Sequence, residues 1–234
     1  MLAVRPLRIG LIVPSSNTVM EPDFHRHLGP ECIVSTTRIF LEDVNREAEG
    51  RMLEDDLPKA IELIGSTAPE MVVFGCTSAG ALGTLAHDDG IAALIQKGCN
   101  AQALTVLGAV LTQLRRIAPR KVAIFTPYIE DLTKSIASSL AEGGFPVTKA
   151  AGMGIRANLE IGRVTPAQIV GFVESQIKGC APDCVFLSCT NWRAIEAIEP
   201  LQRTLGIPIV SSNQAAIDVV RQIAAHRLPA VARM

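Results

Sequence analysis

Cys76 and Cys189 stand in matching surroundings. Each follows an apolar run and one small residue, and each precedes a threonine: VVFGCTSAG (Val72–Gly80) and VFLSCTNWR (Val185–Arg193). A thiol attacks carbon or moves a proton once its thiolate is favoured, and backbone N–H groups at a strand-to-helix junction favour it. Two such thiols can flank one small molecule. One adds to it or removes a proton, and the other handles the proton at the far side. The hydroxyls of Thr77, Ser78 and Thr190 sit beside these cysteines and can hold a carboxylate or enolate oxygen. PSSNT (Pro14–Thr18) supplies Ser15, Ser16 and Asn17, and TPY (Thr126–Tyr128) supplies Tyr128. Neutral donors of this kind suit a small mono- or dicarboxylate held without a lysine clamp.

An internal repeat argues that the two thiols belong together. An offset of 113 residues carries RIGLIVP (Arg8–Pro14) onto KVAIFTP (Lys121–Pro127), Cys76 onto Cys189 and Thr77 onto Thr190. It also carries Asn45 onto Asn158, a residue that by itself reads as a helix cap or a loop position. The remaining cysteines, Cys32, Cys99, Cys180 and Cys184, read as packing residues. His25, His27, His87 and His226 read as solvated, and Trp192 as either cleft lining or core.

Elements that position such residues are legible as alternation. Apolar runs such as Arg8–Pro14, Glu31–Ile39 and Met71–Gly75 read as buried strands. Asp55–Thr67 carries Leu57, Ile61 and Ile64 at helical spacing, and Thr165 with Pro166 marks a helix start. Strands alternating with helices predict an α/β fold of two pseudo-symmetric, Rossmann-like (flavodoxin-like) lobes, each a parallel sheet covered by helices. The expected boundaries are residues 1–112, joined by a C-terminal helix over 213–234, and residues 113–212. The cleft between the lobes, at the carboxyl ends of the strands, is the expected site.

Composition narrows the partners. Net charge is −1 and aromatic residues are 4%, so neither a basic surface nor a stacking platform for nucleic acid is expected. No window reaches the roughly 18 apolar residues of a membrane span, and no export signal is read at the start. A cytoplasmic homo-oligomer is the expectation. Cysteines without a C-x-x-C spacing or nearby histidine predict no metal. The lack of a GxGxxG or Walker loop predicts no nucleotide cofactor.

GLIVPSSNTVMEPDF, GCTSAG, TPYIEDL, RANLEIGR and LSCTNWRAIEAIEPLQRTLGIPIVSSNQA resemble the aspartate/glutamate racemase superfamily over nearly the whole chain. The branch of maleate cis-trans isomerases, arylmalonate decarboxylases and ectoine-utilisation racemase-like proteins is most similar. The resemblance implies a cofactor-independent, metal-free enzyme with its site between two lobes. It implies Cys76 as nucleophile or first acid–base group and Cys189 as its partner. The isomerase pattern implies Asn17, Tyr128 and Asn158 on the substrate carboxylates; the decarboxylase pattern implies Thr77, Ser78 and Tyr128 as an oxygen cradle. The CTSAG run is similar to the decarboxylase and ectoine-type proteins, whereas the decarboxylase carries glycine where Cys76 stands. An isomerase converting maleate to fumarate is expected first. An α-carbon racemase, a malonate decarboxylase using Cys189 alone and a non-catalytic acid-binding protein remain open.

Overall fold

The computed structural model describes residues 5–227. The first half runs β1 (Leu7–Pro14), α1 (Met20–His27), β2 (Cys32–Ile39), α2 (Arg46–Arg51), a π turn (Met52–Asp56) and α3 (Leu57–Gly65). It continues through β3 (Met71–Phe74), α4 (Thr77–Gly80), α5 (Leu85–Cys99), β4 (Gln102–Thr105) and α6 (Val106–Ile117). The second runs β5 (Val122–Thr126), α7 (Glu130–Glu142), β6 (Val147–Gly152), α8 (Asn158–Arg163) and α9 (Pro166–Gln176). β7 (Cys184–Leu187), α10 (Ile195–Leu205), β8 (Ile209–Ser211) and α11 (Ser212–Arg227) follow.

Two four-stranded sheets result, ordered β2-β1-β3-β4 and β6-β5-β7-β8, with every strand pair parallel. The fold is therefore α/β with two similarly wound sheets. Their central strands are apolar throughout because helices cover both faces. β3 (MVVF) and β7 (CVFL) are buried at every residue, and each fully buried Val, Phe or Leu there stabilises by about 1.5–3 kcal/mol. In both sheets the strand order reverses between the first strand and its neighbours, β1 beside β3 and β5 beside β7. A crevice opens at the carboxyl ends of such strands, because the connections there leave in opposite directions. Cys76 follows β3 and Cys189 follows β7, so each thiol lies at such a switch point.

The two halves are stitched together around an antiparallel bridge between Asp43 and Ala157. Val44 N–H donates to Arg156 O at 2.7 Å, and Asn158 N–H donates to Glu42 O at 2.8 Å. These are equivalent loops of the two halves, one after β2 and one after β6. α11 leaves the second sheet and packs against α6 and α1. Gln113 there donates to Asp218 at 2.9 Å. The C-terminal stretch 228–234 of the expected last helix lies outside the described residues.

The helix expected over Asp55–Thr67 differs in its start. Helical structure begins at Arg46, passes through the π turn and ends at Gly65. Asn45 supplies the start: its Oδ1 accepts from Ala48 N–H at 3.0 Å, satisfying a donor that the first turn leaves open. Thr165 caps α9 in a full capping box with Gln168.

Candidate active site

Gly75 permits the close approach that sets Cys76 in place. A Cβ there would lie 2.6 Å from Met20 Sδ and 3.0 Å from Ile12 O. Cys76 then leaves β3 with extended backbone and starts α4, and Ala79 N–H reaches its sulfur. Across the site, Asn191 N–H donates to Cys189 Sγ at 3.3 Å. Each sulfur thus accepts one backbone N–H, an arrangement that favours a thiolate. Burial opposes it. Cys76 is 5% exposed and Cys189 3%. Burial pushes the Cys76 thiol far above its ordinary range, and the Glu49 carboxylate pushes it further. Burial pushes Cys189 up to about 12, against hydrogen bonds from Tyr128 and Asn191 that hold it down.

Tyr128 stands against Cys189. It is buried, its hydroxyl donates to Cys189, and burial raises its own pKa well above the ordinary phenol value. The charges of Cys189, Cys76 and Glu49 all raise it as well. One tyrosine, two thiols and one carboxyl therefore share a single buried region.

The other residues singled out in the sequence converge here, mostly as framework. Asn17 Oδ1 accepts from Val19 and Met20 N–H, both at 3.0 Å, and its Nδ2 donates to Thr190 Oγ1 at 3.0 Å. Thr190 in turn donates to Gly75 O at 2.9 Å, tying the two cysteine strands together. Thr77 Oγ1 pairs with Ser212 Oγ at 2.9 Å. Ser15 Oγ accepts from Leu41 N–H at 3.0 Å, while Ser16 Oγ donates to Leu41 O and accepts from Asn158 Nδ2 at 2.9 Å. Asn158 Oδ1 accepts from Asn191 Nδ2 at 3.2 Å. Trp192 is fully buried.

Three participants escape a reading of the sequence. Asn191 holds Asn158 from one amide end and accepts from Thr18 N–H at 2.8 Å at the other. Ser212 engages Thr77. Glu49 is fully buried on α2 and accepts a short hydrogen bond from Ser78 Oγ through Oε1. Its Oε2 has no partner among the described residues. Burial raises its pKa to about 8, and the Ser78 hydrogen bond and the Arg46 charge lower it only in part. The one available signal is that Glu49 lies four residues after Asn45, on the same helix face.

This geometry gathers two thiols, a phenol and a carboxyl, groups able to move protons and to attack carbon, in one buried region. Comparison with known proteins gives the same neighbourhood. Maleate isomerase of Geobacillus stearothermophilus is 28% identical over 223 residues, covering 90% of this chain and 88% of the relative. Arylmalonate decarboxylase of Bordetella bronchiseptica is 29% identical over 216 residues, covering 91% and 89%. A cysteine-to-serine variant of Nocardia farcinica maleate cis-trans isomerase, solved with a covalently bound succinylcysteine intermediate, superposes with a TM-score of 0.84. It is 23% identical, over 93% of this chain and 92% of that one. The family model described as arylmalonate decarboxylase matches residues 9–233. On a match of that extent, the chain is a member of the arylmalonate decarboxylase family.

Proposed function

We propose that this protein is a cofactor-independent cis-trans isomerase that converts maleate to fumarate. The observation that carries the reading is the shared burial of Cys76, Cys189 and Tyr128, with the two thiols just beyond the equivalent strands β3 and β7. A decarboxylase working through Cys189 alone needs no second thiol at position 76, and this chain has one.

The chemistry balances without an added reagent. The Cys76 thiolate forms a C–S bond to one alkene carbon, and the π electrons move toward the neighbouring carbon and its carboxylate. Cys189 gives that carbon a proton. The former double bond is now single and rotates. Cys189 takes a proton back, the C–S bond breaks onto sulfur, and the trans alkene leaves. The intermediate is a succinylcysteine, the species carried by the Nocardia variant. Asn158 supplies a donor for a carboxylate and Tyr128 holds Cys189, with Ser15, Ser16, Asn17, Thr77, Ser78 and Thr190 as the surrounding cradle and frame. Negative charge is held by hydrogen bonds aimed in advance, which cost no reorganisation during the reaction.

An α-carbon racemase would use the same two thiols on opposite faces of one carbon, which the near-symmetric placement of Cys76 and Cys189 also fits. Proton NMR of the protein with maleate separates the readings: fumarate accumulates if the proposal holds. Unchanged maleate, with deuterium exchange at the α-carbon of a chiral acid, replaces it with the racemase.

Six unpaired cysteines suit a reducing, cytoplasmic setting, and no helix among the described residues is long and apolar enough to cross a membrane. A homo-oligomer is part of the proposal. Ile33 on edge strand β2 and Phe40 just beyond it are 50% and 62% exposed, apolar area that a second copy can cover. Light scattering that gives a monomer mass would remove that element.

A further inference from the structure

Three groups form a chain behind one of the two thiols. Cys76 Sγ lies 3.7 Å from Ser78 Oγ, and Ser78 donates a short hydrogen bond to Glu49 Oε1. A hydroxyl has one proton to give and two lone pairs to accept with. Ser78 can therefore take a proton from Cys76 while handing its own to Glu49. The second carboxyl oxygen, Oε2, is buried and has no hydrogen-bond partner among the described residues.

We propose that Glu49 is the base that activates Cys76, receiving its proton through the Ser78 hydroxyl. One S–H bond breaks and one carboxyl O–H bond forms. A single negative charge moves from carboxylate to sulfur, and nothing is oxidised or reduced. The relay deepens the reading of Cys76 as nucleophile and rests on it for the reaction step. Activation of the thiol itself is independent of the substrate's identity.

The surroundings raise the proton affinity of both ends of the chain. Four charged or titratable groups act on Glu49 or feel it: Cys76, Cys189, Tyr128 and Arg46. Arg46 is the sole cation among them, and it is turned outward, with contacts to Leu82 O at 2.6 Å, Ser135 Oγ at 2.6 Å and Asp131 at 3.3 Å. A carboxylate in such a place is costly to keep ionised. Glu49 is raised to about 8 while burial holds Cys76 far above the ordinary thiol range, so the transfer runs uphill and the thiolate is a minor form that attack on carbon draws off.

The relay also separates the two thiols. Under the 113-residue repeat, Glu49 corresponds to Gly162 and Ser78 to Asn191. Cys189 has no carboxyl at the equivalent place; its sulfur receives hydrogen bonds from Tyr128 and Asn191 instead. The structure thus assigns the attack to Cys76.

Iodoacetamide labelling of the Cys76 peptide, followed by mass spectrometry from pH 6 to 10, tests this without any substrate. The shape of the profile decides, because opening of the buried site scales all rates alike. In the natural protein labelling should rise to about pH 8 and then flatten. Glu49→Gln keeps the size and the Ser78 contact but cannot take a proton. Its labelling at pH 8 should stay at least about tenfold below its own rate at pH 10, as for a thiol that ionises alone. Ser78→Ala, a smaller change, should give the same profile and serves if Glu49→Gln does not fold. A natural-type profile in either folded variant would overturn the relay, and so would faster labelling at neutral pH in Glu49→Gln. Isomerisation of maleate should fall about 100-fold or more in Glu49→Gln. If the natural protein leaves maleate unchanged, the functional reading fails, while the labelling profile still decides the role of Glu49.

Discussion

The Cys76 and Cys189 sides of the site are built on one pattern and furnished differently. Both have an apolar strand, a small residue, Cys-Thr and a backbone N–H aimed at sulfur. At four repeat-related positions they part. Ser15, Glu49, Gly75 and Ser78 on the first side answer to Tyr128, Gly162, Ser188 and Asn191 on the second. The first side holds a carboxyl linked to its thiol through a hydroxyl. The second holds a phenol that donates to its thiol, and an amide that locks the loop before α1 to Asn158. A duplicated frame thus places two thiols with near symmetry, and the unlike neighbours divide the work. On the proposed reading, one thiol loses its proton and attacks, and the other holds a proton and returns it.

The largest expected effect comes from removing the attacking thiol. Cys76→Ala should lower maleate turnover by about 1,000-fold or more, with an unchanged circular dichroism spectrum. Appreciable turnover would break the comparison, since the first side would then contain no chemistry. Tyr128→Phe removes only the donor on the second side. A hydrogen bond to a charged sulfur is worth about 1.5–3 kcal/mol, so kcat should fall roughly 10- to 100-fold. Equal loss of C–S bond formation, timed by rapid quench, would mean that the phenol serves both thiols.

Gly162 sharpens the asymmetry. A Cβ at this position would lie 2.6 Å from Thr18 Oγ1 and 3.1 Å from Asn191 Oδ1. Gly162→Ala should therefore cost about 1–3 kcal/mol of stability by overpacking, read from the denaturation midpoint. An unshifted midpoint would show that the second side has room for a side chain where the first has its acid.

The most gradual effect is in the pH dependence of stability. Glu49 is raised in the folded protein from about 4.5 to about 8. Below pH 4.5 the group is protonated whether the chain is folded or unfolded. Between 4.5 and 8 it is ionised only when unfolded, so unfolding releases a proton and stability falls as pH rises; above about 8 the loss levels off. The melting temperature of Glu49→Gln minus that of the natural protein should grow from pH 5 to pH 8. A difference that stays flat would place an ionised Glu49 in the fold throughout.

Much of this was legible in the residue order, for physical reasons. β3 and β7 are short, apolar and bounded by Gly75 and Ser188, so burial could be read from composition. The repeat aligns Asn45 with Asn158, and the first caps α2 while the second opens α8. What stayed hidden depends on contacts far along the chain. REAEGR in α2 reads as a charged, solvated stretch, and Glu49 becomes a buried acid only because Ser78 meets it. Thr77 and Thr190 read as substrate donors, and their hydroxyls have partners at Ser212, Gly75 and Asn17. Residues more than a hundred positions apart supply those partners for the most part, and no local pattern signals them.

The division of labour between the thiols can be measured most directly by trapping the covalent intermediate. Cys189→Ser and Cys76→Ser proteins would each be mixed with maleate, digested and mapped by mass spectrometry. Serine keeps a donor but is a far poorer acid and base near pH 7. The account predicts a mass increase of one whole maleate on the Cys76 peptide of Cys189→Ser, and none on the Cys189 peptide of Cys76→Ser. An adduct on Cys189 with Cys76 left bare, or full turnover by Cys189→Ser without any adduct, would contradict it.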